Sequence, residues 1–136
     1  MLRTALLSIV LILAGCSDNT PTSPTLSSID GVWRIISIQL HPAQPVQTAP
    51  VGVQYQIEFE NSRVSLRVDC NTCNGPSTLN GGTLTIGPAL ACTRAACATA
   101  TYESAVVSLL AGDHQVSATL HNLTLTSTRG TVLLQR

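Results

Sequence analysis

Beyond about position 30, apolar and polar residues alternate along most of this chain with a period of two. In Tyr55–Glu60, Tyr55, Ile57 and Phe59 fall on one side and Gln56, Glu58 and Glu60 on the other. In residues 64–68, Val64, Leu66 and Val68 alternate with Ser65 and Arg67. Such alternation marks a strand with one buried face. Leu84 and Ile86 continue it after the turn signal Asn80-Gly81-Gly82. Val116, Ala118 and Leu120 and then Leu123 and Leu125 repeat it across His121-Asn122, a link that predicts a tight hairpin. A first strand is expected over residues 31–38, with Trp33 inward, and a last one over 131–136 after Arg129-Gly130. One stretch differs. In residues 101–112, Tyr102, Val106, Leu109 and Leu110 recur at helical spacing, and Gly112 supplies a stop.

Seven strands and one helix predict a mainly β fold, a small antiparallel β-barrel with one α-helix, because closure removes exposed strand edges. The expected interior is Trp33, Tyr55, Ile57, Phe59, Val64, Leu66, Leu84, Ile86, Leu123, Leu125 and Leu133, since small barrels fill themselves with side chains. Residues 41–52 carry Pro42, Pro45 and Pro50, which exclude a central strand and predict a long loop.

The first 28 residues follow other rules. Arg3 precedes an apolar run from Ala5 to Ala14 broken only by Ser8. That is the layout of a secretory signal peptide, and it is too short for a membrane span of about 20 residues. It ends in Leu13-Ala14-Gly15-Cys16, which resembles the lipobox of bacterial lipoproteins. The resemblance implies a signal peptide over residues 1–15, cleavage before Cys16, and acylation of that cysteine. A multi-acyl anchor meets the requirement for more than one chain in stable membrane attachment. Residues 17–28 are almost all small, polar or proline and cannot bury enough surface to offset their ordering entropy. Residues 16–28 are thus expected to be the lipidated cysteine and a tether of roughly 40 Å at most, and residues 29–136 one domain. By likeness to enterobacterial lipoproteins, Ser17 after the cysteine, with Asp18 one place later, points to the outer membrane.

Charge narrows the partners. The full chain carries seven arginines, no lysine and seven acidic residues. Loss of Arg3 leaves six against seven, and the six are scattered. No nucleic acid is expected as a partner, because phosphate binding needs clustered cations. With 3% aromatic residues, a base-stacking platform is not expected either.

Four of the five cysteines lie within residues 70–97, as Cys70-x-x-Cys73 and Cys92-x4-Cys97. Such spacing is open to a loose zinc site, a redox pair or two disulfides. Export favours disulfides, in any of three connectivities. The other polar candidates are weak. His41, His114 and His121 are far apart and are expected to be solvated; Glu58 and Glu60 share an outer strand face. Ser104 and Ser108 lack a nucleophile-elbow context. No cofactor, metal or catalytic set is expected, so the chain is expected not to be an enzyme.

Trp33, Cys70-Asn71 followed by Asn74-Gly75, residues 84–87 (Leu-Thr-Ile-Gly), residues 93–97 (Thr-Arg-Ala-Ala-Cys), the helix and two closing strands together resemble the META domain, also called HslJ-like. The resemblance spans residues 29–136 and implies a lipocalin-like barrel with one helix. Family members include envelope proteins linked to heat shock and novobiocin resistance, with no general enzymatic activity. Asp69 stands where the family has glycine, Thr72 and Cys73 where it has an arginine and an aromatic residue, and Ala95 where it has methionine. The family's cysteine positions correspond to Cys70 and Cys97, which implies nested pairing: Cys70 with Cys97 and Cys73 with Cys92. Arg94, between those cysteines, together with Asn71 and Asn74, forms the candidate binding surface. The expected function is an envelope lipoprotein with a stress-related structural or binding role, its partner an envelope protein or a small apolar ligand. The alternatives are a ligand-binding barrel, or a cysteine-based redox or zinc-binding protein.

Overall fold

The structure, a computed structural model, describes residues 29–40 and 43–136. The signal peptide, Cys16, the tether and His41 lie outside these residues. The elements in chain order are β1 (Gly31–Leu40), β2 (Gln47–Thr48), β3 (Tyr55–Glu60), β4 (Arg63–Val68), β5 (Asn71–Asn80), β6 (Thr83–Ile86), β7 (Ala91–Cys92), α1 (Ala100–Leu110), β8 (Gly112–Ala118), β9 (Asn122–Ser127) and β10 (Gly130–Gln135). Eight of the strands form one antiparallel sheet in the order β10-β9-β8-β6-β5-β4-β3-β1, and pairing of β1 with β10 closes it into a barrel. The short β2 pairs with β1 inside the proline-rich loop, and β7 pairs with β5.

The barrel is full. Trp33, Tyr55, Ile57, Phe59, Val64, Leu66, Leu84, Ile86, Leu123 and Leu125 are all buried in it, as the alternation predicts. Leu133 is not part of this core: Val132 and Leu134 point inward instead. Three successive apolar residues carry no alternation, so pairing sets the phase. Directly opposed residues share a face; Val132 opposes Leu125 and Leu134 opposes Leu123, while Leu133 opposes Thr124. Leu120 falls in the β8–β9 turn and is exposed. His114, expected in solvent, is 1% exposed, because it opposes inward-facing Leu84.

Among the described residues, β5 is the one long strand that the apolar pattern does not reveal. Its inward positions are Asn71, Cys73, Gly75 and Ser77, too small or polar to register as a buried face. They are small because the chain packs closely over them. A Cβ on Gly75 would come within 2.7 Å of the Leu90 side chain. The lower half of β5 pairs with β6 and its upper half with β7, so the sheet splits there.

Helix α1 covers the upper end of the barrel, burying Tyr102, Val106, Leu109 and Leu110. Tyr102 meets Tyr55 edge-on, with ring centroids 4.9 Å apart and planes at 86°. Gly112 does not cap the helix but opens β8 at φ +101°. Near the same end, Gly130 has φ +150°, and a Cβ there would fall on the Gln39 carbonyl. At the lower end lie the hairpin at Asn61-Ser62, both with positive φ, and the start of β1. Trp33 seals this end: Nε1 donates to the Ile29 carbonyl at 2.7 Å, and the Arg136 guanidinium lies 3.8 Å from the ring centre.

Candidate functional site

The polar groups that share one locality lie at the upper end, where β5, the segment 90–99 and α1 meet. Cys70 is bonded to Cys97 and Cys73 to Cys92, with Cα–Cα distances of 5.7 and 4.0 Å. Cys73 and Cys92 also oppose each other in the β5–β7 register. The bridges fix residues 90–99 against β5 at two points.

Between the bridges, Asn71 ties the segment down. It is 2% exposed. Its Nδ2 donates to Glu103 Oε1 at 2.8 Å and to the Ala95 carbonyl at 3.1 Å. Its Oδ1 accepts from Ala95 N–H at 2.8 Å and from the Thr93 hydroxyl at 2.9 Å. The amide therefore saturates itself within the protein. A second chain runs from Tyr55 OH to Thr99 Oγ1 at 2.6 Å and on to Asp69 Oδ2 at 2.5 Å. Asp69 Oδ2 also accepts the Thr99 N–H at 2.9 Å. Asp69 adopts φ +56°, a left-handed conformation that Asp and Asn tolerate better than most residues. The aspartate side chain ties this turn to the helix start through Thr99.

These contacts set the titration of the groups. The side-chain and backbone hydrogen bonds from Thr99 hold the Asp69 carboxyl below its ordinary range. Burial pushes the Tyr55 phenol up, with the Asp69 and Glu103 charges adding to it against the Thr99 hydrogen bond. Burial, reinforced by Tyr55, pushes Tyr102 up to about 12. Asp69, Cys70 and Cys97 have ligand-type atoms within 4.8 Å of one another. The two sulfurs are bonded to each other, whereas a cysteine ligates a metal as its free thiolate.

Above this floor lies a groove of about 610 Å³, walled by α1 on one side and by residues 90–96 on the other. Leu90, Val107 and Ala100 give it apolar walls, and Arg94, Ser104 and Ser108 line it as well. Arg94 is exposed. The three residues of the candidate surface therefore separate. Arg94 lines the groove and Asn71 forms its buried floor. Asn74 lies on the outer barrel wall, where it accepts from the Ser65 hydroxyl at 2.7 Å in a hollow shared with Glu58 and Glu60. His114 lies apart, its Nε2 2.9 Å from the carbonyl of Leu110 in the last turn of α1, and His121 is exposed. Thr93, Thr99 and Glu103 were not legible as members of this site. Thr99 sits at the N-cap position of α1 but turns its hydroxyl to Asp69 instead of capping the helix.

The architecture is thus an eight-stranded closed antiparallel barrel with one helix across its mouth, stapled by two disulfides. The META domain model matches residues 25–136, and the chain belongs to that family. In fold it is similar to a protein from Burkholderia xenovorans solved by NMR, with a TM-score of 0.68 at 19% identity over 99% of this chain and 98% of that one. A second NMR structure matches with a TM-score of 0.60 at 23% identity, over 80% of this chain and 91% of the other. No match was found among curated proteins.

Proposed function

We propose that this chain is a lipid-anchored envelope protein without catalytic activity, tethered through Cys16 to the outer membrane on its periplasmic side, with a stress-related binding role carried by the groove beside α1. One observation supports this reading above the others: the chain enters the barrel at the lower end, through Ile29 and Gly31, whereas the stapled groove lies at the upper end. A tether joined at the lower end attaches to the barrel at the end opposite the groove. The filled interior supports a surface site over a luminal one, because Trp33, Tyr55 and Phe59 occupy the space that a ligand in the barrel would need. The non-enzymatic part rests on chemistry already committed. Asp69 and Tyr55 are engaged by Thr99, Asn71 holds Glu103, and four cysteines are bridged.

The test is made in the native host with Arg94→Glu combined with Ser104→Arg, both at exposed positions. Mass spectrometry of the purified protein is expected to find an acylated Cys16 at the N-terminus. The double variant is expected to melt like wild type and to lose protection against envelope stress. A chain that still begins at Met1 would refute the anchor. Full protection by the folded variant would refute the groove, and turnover of any substrate would refute the non-enzymatic reading.

A further inference from the structure

The groove beside α1 has a strand edge along it. Thr93 and Ala95 turn their amides toward β5: Thr93 N–H donates to the Thr72 carbonyl at 3.0 Å and Ala95 N–H to Asn71 Oδ1 at 2.8 Å. Successive residues of a strand face opposite ways, so Cys92, the last residue of β7, turns its N–H and C=O away from β5. The 4.0 Å Cα separation of Cys73 and Cys92 agrees, since so short a spacing belongs to a pair that does not exchange backbone hydrogen bonds. Closure consumes the edges of the eight barrel strands. β7 pairs with β5 alone, and Cys92 at its end is tied to Cys73 by a disulfide.

The charge in the groove has one sign on its accessible side. Glu103 gives Oε1 to Asn71, and its Oε2 is shut off from solvent. Arg94 is exposed and has no ion pair or hydrogen bond among the described residues. The groove's volume falls within the ~300–1,000 Å³ of ligand sites, and its walls offer Leu90 and Val107 to apolar side chains.

We propose that this groove binds an extended peptide segment of a partner protein. The segment adds as a strand to the outer edge of β7 at Cys92, packs an apolar side chain between Leu90 and Val107, and sets an acidic side chain on Arg94. Main-chain hydrogen bonds supply affinity in such strand addition, and side-chain pockets supply selectivity. The disulfides lower the entropic cost by fixing the edge beforehand. The proposal rests on the groove being the working surface.

The probe is a positional-scanning library of labelled hexapeptides, capped at both ends, read by fluorescence polarisation against the oxidised full-length protein in detergent micelles. Mixtures fixing Asp or Glu are expected to bind at least about tenfold more tightly than those fixing Lys or Arg at the same position. Arg94→Glu is expected to reverse that order. In the best peptide, N-methylation of alternate amides is expected to cost about tenfold or more in one phase and little in the other, because only one set faces the edge. Three results would overturn the proposal. These are no binding by any mixture at about 1 mM peptide, indifference to N-methylation in both phases, and equal Arg94-dependent binding of free hexanoate, which would mark a small-carboxylate site. If the Arg94 variant abolishes stress protection and yet no peptide binds, the groove stands and the peptide falls. If protection and peptide binding are both untouched by the variant, both readings fall.

Discussion

Replacing Asn71 tests whether one buried amide holds the stapled segment in place. In Asn71→Ala the cavity is small, but Glu103 Oε1, Ala95 N–H and the Thr93 hydroxyl each lose a partner at 2.8–2.9 Å. An orphaned buried polar group costs about 1–3 kcal/mol. The adjoining groove lets water reach some of them, which places the total near 3 kcal/mol rather than at the sum of three full penalties. For a domain of this size that corresponds to a fall in melting temperature of roughly 12–24 °C at about 4–8 °C per kcal/mol. Asn71→Asp separates the amide's donors from its acceptors. It keeps Oδ1 for Ala95 and Thr93, yet sets a second carboxylate against Glu103. At pH 7 it is expected to be less stable than Asn71→Ala, and the gap should close as the pH falls to about 4, where carboxylates protonate. The assay is urea denaturation of the oxidised protein followed by tryptophan fluorescence, since Trp33 sits in the core. A loss under about 1 kcal/mol for Asn71→Ala, or a constant order of the two variants across pH, would refute this account.

Phe59→Ala is expected to cost about 3–5 kcal/mol in the same assay. Leu134→Ala is expected to cost more than Leu133→Ala, and the reverse order would show that the phase of β10 is misread. His114 is buried and held neutral, desolvation lowering its pKa against the Leu110 carbonyl. On acidification the unfolded chain, at about 6.5, takes its proton first. Stability is therefore complete above that value and is lost as pH falls below it toward the folded pKa. Urea midpoints between pH 7.5 and 5 should drop in wild type and drop less in His114→Gln. Non-reducing peptide mapping is expected to recover Cys70 with Cys97 and Cys73 with Cys92. The outer bridge, closing a loop of about 28 residues, contributes roughly 3.5 kcal/mol by the chain-entropy model, so Cys70→Ser with Cys97→Ser should lower stability by a comparable amount.

Much of the barrel was legible in the order of residues. Strands β3, β4 and β6 alternate cleanly because each has one face in the core and one in water, and that difference is written into every second residue. The helix was legible for the same reason at its own period, through Tyr102, Val106, Leu109 and Leu110. Segments that answer to neighbours instead of to solvent were not. β5 carries Asn71, Gly75 and Ser77 inward because Leu90 and the segment 90–99 occupy the space beside it, so the strand makes no apolar signal of its own. β10 took its phase from Leu123 and Leu125 across the sheet, and no local pattern in Val132-Leu133-Leu134 encodes that choice. His114 is buried by its place opposite Leu84, a fact of register and not of composition. The site divides in the same way. Its residue types and cysteine spacing could be read directly, but the separation of Asn74 from Arg94 comes from strand pairing and the union of Asn71 with Glu103 from a contact across 32 residues. Such pairings depend on which strands the closed sheet makes adjacent, and closure is a property of the whole chain.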